Sequence, residues 1–188
     1  MNRKVTLEPP FYVSNIKYKP DFRLSDFVDS LNFTHLFKAS GRSAVYFGIH
    51  DYEYHGGFHK AAPLHSNAYI SSIFSFISSA FPYLMLNSCL VNYYPSLNCS
   101  IPYHADDEVS IDPGSYIVTL SLGETRTMFF KPIDPKMHDK SDSIALKHGD
   151  IVLFSRESQD KYLHGIPPCS DPSNTPRPRL SLTFRKTV

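Results

Sequence analysis

Residues 115–122 read "SYIVTLSL", a short β-branched run too brief for a stable helix and rich in the residue types that favour strands. Similar runs surround it: "SCLVNYY" at 88–94, "RTMFFKP" at 126–132, "SIAL" at 143–146, "DIVLF" at 150–154 and "LSLTFRK" at 180–186. Turn residues separate them, and the texture begins only after Pro82. Strands spaced in this way predict an α+β, mainly β fold, a sandwich or jelly roll. The first half supplies the cover. "RLSDFVDSL" carries Leu24, Phe27, Val28 and Leu31 at helical spacing, with Ser25 as a candidate cap, and "NAYISSIFSFISSAF" repeats the pattern through Ile70, Ile73, Phe74, Ile77 and Phe81. These two N-terminal helices are expected to pack on one face of the sheets.

The chain has 188 residues, enough to bury a sizeable core and expected to form one domain. Fourteen Phe and twelve Tyr argue against disorder. A formal net charge of +1 neither demands nor forbids a nucleic-acid partner, because a local basic face matters more than the sum. Cys89, Cys99 and Cys169 are scattered and odd in number, which favours free thiols in a reducing compartment. The N-terminus lacks an apolar signal core and no run is long enough to span a membrane, so a cytoplasmic location is expected.

The charged stretch "HADDE" at 104–108 packs one histidine and three acids together. His104 and Asp106 lie just past a candidate strand, where alternation points both to one side. A further histidine, His164, follows the candidate strand "DIVLF". Two imidazoles and a carboxylate on one face of a metal form the facial set of non-haem Fe(II) oxygenases, and a divalent cation makes such a cluster tolerable. A lone HxD is common by chance, so the C-terminus carries weight. Arg179 and Arg185 share strand parity, and two inward guanidiniums call for an anion such as a dicarboxylate. The alternative is a basic edge shared with Arg177 and Lys186. The irregularly spaced His50, His55, His59 and His65 match no zinc site and are expected in a lid or at the surface. Asp134–Asp142 is expected to be an exposed polar excursion, and Gly149 with Asp150 a structural turn.

The ordered blocks "CLVNYY", "HAD", "HGI" and "RLSLTFR" resemble the AlkB family of Fe(II)- and 2-oxoglutarate-dependent dioxygenases over roughly residues 42–186. The resemblance implies a double-stranded β-helix with His104, Asp106 and His164 as iron ligands. It implies that Arg179, aided by Tyr94, pairs with the distal carboxylate of 2-oxoglutarate, and that Asn92 and Arg185 lie near its iron-bound end. With O2 as cosubstrate, such enzymes hydroxylate an N-methyl group of a base, which leaves as formaldehyde. Residues 42–65 resemble a nucleotide-recognition lid over an iron and 2-oxoglutarate core at 86–186. By that likeness Tyr52 and Tyr54 are its paired tyrosines, Tyr46 or Phe47 stacks on the base, and Glu108 accepts from an exocyclic amine, although a solvated loop acid would read the same way. The chain has no Trp, so the indole of some relatives is missing. "NSCLVNYY" with "IPYHADDE" looks most like AlkB domains of plant RNA virus replicase polyproteins. The implied partner is methylated RNA or single-stranded DNA. The alternatives are a 2-oxoglutarate-dependent hydroxylase of a protein or small molecule, and a non-catalytic RNA-binding domain of a polyprotein.

Overall fold

The computed structural model describes residues 3–4, 11–54, 57–170 and 175–188, without the side chains of residues 3, 4, 54, 57 and 138–140. In chain order the elements begin with β1 (Arg3–Lys4), β2 (Phe11–Val13), α1 (Leu24–Asp29), β3 (His35–Phe37), β4 (Arg42–Phe47), β5 (Tyr52–Tyr54), β6 (Gly57–His59) and α2 (Ala68–Ala80). They continue with β7 (Ser88–Tyr94), β8 (Ile101–His104), β9 (Ile117–Gly123), β10 (Arg126–Pro132), β11 (Asp142–Leu146) and β12 (Ile151–Phe154). The last are α3 (Arg156–Lys161), β13 (Tyr162–Ile166) and β14 (Arg179–Arg185).

The strands form a jelly roll. A major sheet runs β1-β2-β12-β9-β14-β7-β4-β3, a minor sheet runs β11-β10-β13-β8, and β5 pairs with β6 in a separate hairpin. Alternation in the central strands builds two interiors at once. On β14, Leu180, Leu182 and Phe184 face the helices, whereas Arg179, Ser181, Thr183 and Arg185 have the opposite parity. Neighbouring strands follow suit: Cys89 and Val91 of β7 and Val118, Leu120 and Leu122 of β9 join the helix-side core. Leu90 and Tyr94 of β7 and Ile117 of β9 join the core between the sheets.

Helix α2 closes the outer face because Ile70, Ile73 and Ile77 fall on one stripe and are fully buried. Burying each contributes on the order of 1.5–3 kcal/mol. Asn67 caps it, its side-chain oxygen accepting from the backbone N–H groups of Tyr69 and Ile70. Helix α1 differs from expectation: Arg23 is the capping position, and Ser25 lies inside the helix with its hydroxyl on Asp26. The polar segment after Asp134 winds into 3-10 turns over Pro135–Lys140 before β11 begins. Gly149 turns the chain into β12 with a positive φ, and a Cβ there would collide with the Tyr18 carbonyl. The helix α3 and the short strands β2, β3, β8 and β13 carry too few residues to show a period in the sequence.

Candidate metal centre and cosubstrate pocket

His104 ends β8 and stands directly across the ladder from His164 of β13. Their rings are 4.3 Å apart. Asp106 follows two residues on, and one ligand atom from each of the three side chains lies within 4.8 Å of the others. All three are buried. His104 Nδ1 is 2.9 Å from the Pro102 carbonyl oxygen, to which the ring donates, and Nε2 is turned toward the cluster, 3.7 Å from Asp106 Oδ1. Burial, reinforced by the nearby His104, lowers the pKa of His164 to about 3 and keeps it neutral, the form that binds metals.

Burial acts against the charge of Asp106, but Arg185 and the two histidines outweigh it and hold the carboxyl well below its usual range. Arg185 Nη2 is 2.8 Å from Asp106 Oδ1. The anion of Arg185 is therefore one of the chain's own carboxylates. Both arginines were expected to face an external anion; Arg185 instead has one within the chain, because the turn after β8 carries Asp106 to the end of β14. The Asp106 backbone N–H donates to Gln159 Oε1 at 3.0 Å, so α3, which leads into the His164 strand, also grips the Asp106 segment. Gln159 is a site residue that no sequence pattern exposed, since the contact bridges distant segments.

Arg179 is fully buried on β14, opposite Tyr94. Its Nη2 donates to Ser121 Oγ at 2.8 Å, while Nε and Nη1 have no hydrogen-bond partner among the described residues. Its Cζ lies 5.2 Å from the Tyr94 ring centroid. Burial, with the nearby Arg126, depresses its pKa. A buried cation with free donors fits a carboxylate. The pocket on this side is lined by Asn92, Tyr94, Thr119, Ser181, Thr183 and Arg185, together with His104, Asp106 and His164. The Asn92 side-chain oxygen already accepts from Arg42 Nη1, a buried partner on β4 that the sequence did not suggest.

The expected lid divides into parts. Its first residues are β4, an inner strand of the major sheet between β3 and β7. Strand parity puts Phe47 in the helix-side core and Tyr46 between the sheets, so Phe47 faces away from the pocket and does not serve it. Tyr46 stacks on Tyr52, with ring centroids 4.9 Å apart and planes 20° from parallel. Tyr52 lies beside Glu108 and acts on it electrostatically, and its ring centroid is 5.4 Å from Arg185 Cζ. Glu108 is half-buried, and its pKa is raised by burial and by Asp106. Asp107 is exposed. The side chain of Tyr54 and all of His55 lie outside the described residues. His59 ends β6 within the lid stretch and is not at the surface: it is fully buried, 3.6 Å from the His35 ring. No helix among the described residues is long and apolar enough to cross a membrane.

A family model described as the 2OG-Fe(II) oxygenase superfamily matches residues 31–185. The chain is 30% identical over 107 residues to the human DNA oxidative demethylase ALKBH2, covering 54% of this chain and 40% of that protein. It is 30% identical over 152 residues to the RNA replication protein of Papaya mosaic potexvirus, covering 79% of this chain and 9% of that protein. The chain thus spans less than half the length of these curated relatives. A solved structure, "The structure of OsALKBH1", superposes with a TM-score of 0.60 at 18% identity, covering 94% of this chain and 96% of that one, and it supports the fold.

Proposed function

The chain belongs to the 2OG-Fe(II) oxygenase superfamily, and from that membership and its site we infer that it is an Fe(II)- and 2-oxoglutarate-dependent oxidative demethylase of N-methylated bases in RNA or single-stranded DNA. The observation that carries this reading is the buried His104, Asp106 and His164 cluster beside Arg179, two of whose guanidinium nitrogens have no hydrogen-bond partner among the described residues.

The residues fit iron and 2-oxoglutarate. Two neutral imidazoles and an ionised carboxylate are the donor set of facial Fe(II) sites, and Arg179 offers N–H groups to a carboxylate. When bound, iron and 2-oxoglutarate would supply the chemistry by which O2 hydroxylates the N-methyl carbon, one oxygen atom going to that carbon and the other to the succinate formed as 2-oxoglutarate loses carbon dioxide, after which formaldehyde leaves. The chain's own groups do the holding. His104, Asp106 and His164 would ligate the metal; Arg179 and Tyr94 would take the distal carboxylate; Asn92 and Arg185 would border the metal-proximal end. Arg185 keeps Asp106 ionised and oriented. Glu108 would accept from the exocyclic amine of an extruded base, and Tyr46 and Tyr52, stacked on each other and fully buried, would support that side of the pocket from beneath instead of presenting a face in place of the indole. Tyr54 belongs to the same proposed lid.

The likeness to a potexvirus replication protein supports a setting within a viral polyprotein, with methylated RNA as substrate and the cytoplasm as compartment. Purified protein supplied with Fe(II), ascorbate and 2-oxoglutarate should release formaldehyde from an N1-methyladenine oligonucleotide, faster from single strands than from duplex. Protein that retains metal yet yields no formaldehyde from any methylated oligonucleotide would falsify the reading.

A further inference from the structure

The hairpin of β3 and β4 leans against β8 and leaves a groove outside the pocket, lined by Phe37, Lys38, Ser40, Arg42, Tyr103 and His104 among others. His104 is the point of continuity: the groove reaches the metal cluster from its outer side. Tyr103 alternates with His104 on β8, so the strand that turns His104 inward turns Tyr103 outward, where it is 42% exposed. Lys131 of β10 holds its ammonium 4.3 Å from the Tyr103 ring centroid. Lys38 is exposed on the opposite wall. The residues lining this groove include no carboxylate.

A depression beside Glu108, two residues along the chain from Asp106, has the opposite character. Asp51, Glu53 and Glu108 surround a depression with exposed Phe58 and Val109. A polyanionic strand is repelled from that rim and attracted to the lysine side, whereas a base bearing an amine is accommodated by the acids.

We propose that the groove between Lys38 and Tyr103 is the track for a single-stranded nucleic acid flanking the reacting nucleotide, with Tyr103 and Phe37 packing a neighbouring sugar and base and Lys38 and Lys131 pairing with phosphates. This rests on the demethylase reading and adds where the strand lies. Aromatic side chains beside cations are the recurrent means of holding single strands without sequence preference. A tyrosine left partly exposed beside a reactive centre, with an ammonium fixed over its ring, suits that use. The two chemically different rims also give the strand a direction, base toward the acids and backbone toward the lysines.

The test is fluorescence anisotropy of the full chain with an unmethylated, labelled RNA pentanucleotide, so that it reads binding and not turnover. Tyr103→Ala should weaken binding about tenfold and Tyr103→Phe should restore it. The Lys38→Gln, Lys131→Gln double variant should weaken binding and lower the slope of log affinity against log salt by about 1.4. Circular dichroism melts of each variant verify folding. Wild-type affinity and salt slope in these variants would overturn the track, as would a change confined to self-association or to binding of a protein ligand. Failure of the demethylase reading shows separately, as absent formaldehyde from an oligonucleotide that still binds and still responds to these substitutions.

Discussion

Arg179 illustrates what one residue contributes when its surroundings leave it incomplete. A guanidinium in the interior is destabilising unless its donors are matched, and here Ser121 satisfies only Nη2. Among the described residues Nε and Nη1 are left over, and these are the donors that the proposed carboxylate would take up, in contrast to Arg185, which is paired with Asp106 at 2.8 Å. Replacing Arg179 with Met should therefore raise KM for 2-oxoglutarate about 100-fold, measured by succinate formation. The folded protein without cosubstrate should lose little stability, because an unmatched charge goes with the side chain. Both arginines stood out in the sequence through their shared parity on "RLSLTFR". Their different partners did not, since the anion of one comes from a turn more than seventy residues earlier.

Among the elements, the β5–β6 hairpin depends on a contact absent from any local pattern. His59 of β6 is fully buried against His35 of β3, which ties the hairpin to the major sheet. Burial, then the proximity of His35, Arg42 and Arg185, lowers its pKa to about 4. Its ordinary value is 6.5, so between these limits the unfolded chain binds a proton that the folded chain does not. Stability from this source is complete above pH 6.5 and declines as pH falls toward 4. Urea unfolding at pH 7.5 and pH 5.0 should show that loss, and His59→Gln should narrow the difference between the two conditions. The long amphipathic helix α2 was legible from its Ile70, Ile73 and Ile77 spacing, whereas α3 was not, because six residues span too few turns to reveal a face. β4 was read as part of a lid for a related reason. Every described side chain in it except Ser43 is buried, so no polar and apolar alternation marks its place inside the sheet.

At the scale of the whole molecule, the site exists only because two sheets face each other. The minor sheet contributes His104 and His164, and the major sheet contributes Arg179 and Arg185. Metal and cosubstrate bound together should therefore brace the sheets. Mn(II) with N-oxalylglycine, each near 100 times its dissociation constant, should raise the melting temperature by several degrees in differential scanning fluorimetry, since each such ligand adds about 2.7 kcal/mol. His104→Ala should abolish the metal-dependent part of the shift. The sequence by itself determined the strand-rich class, the helical cover, and the residue types that hold a divalent ion and a carboxylate. All of these follow from periodicities and chemistry carried within a few residues of chain. Only the tertiary structure decided that Asp106 pairs with Arg185, that Gln159 grips the Asp106 backbone, that Phe47 faces the helices, and that a groove with Lys38 and Tyr103 on its walls reaches His104. Those arrangements join segments far apart along the chain, and packing between sheets, not local propensity, determines which of them meet.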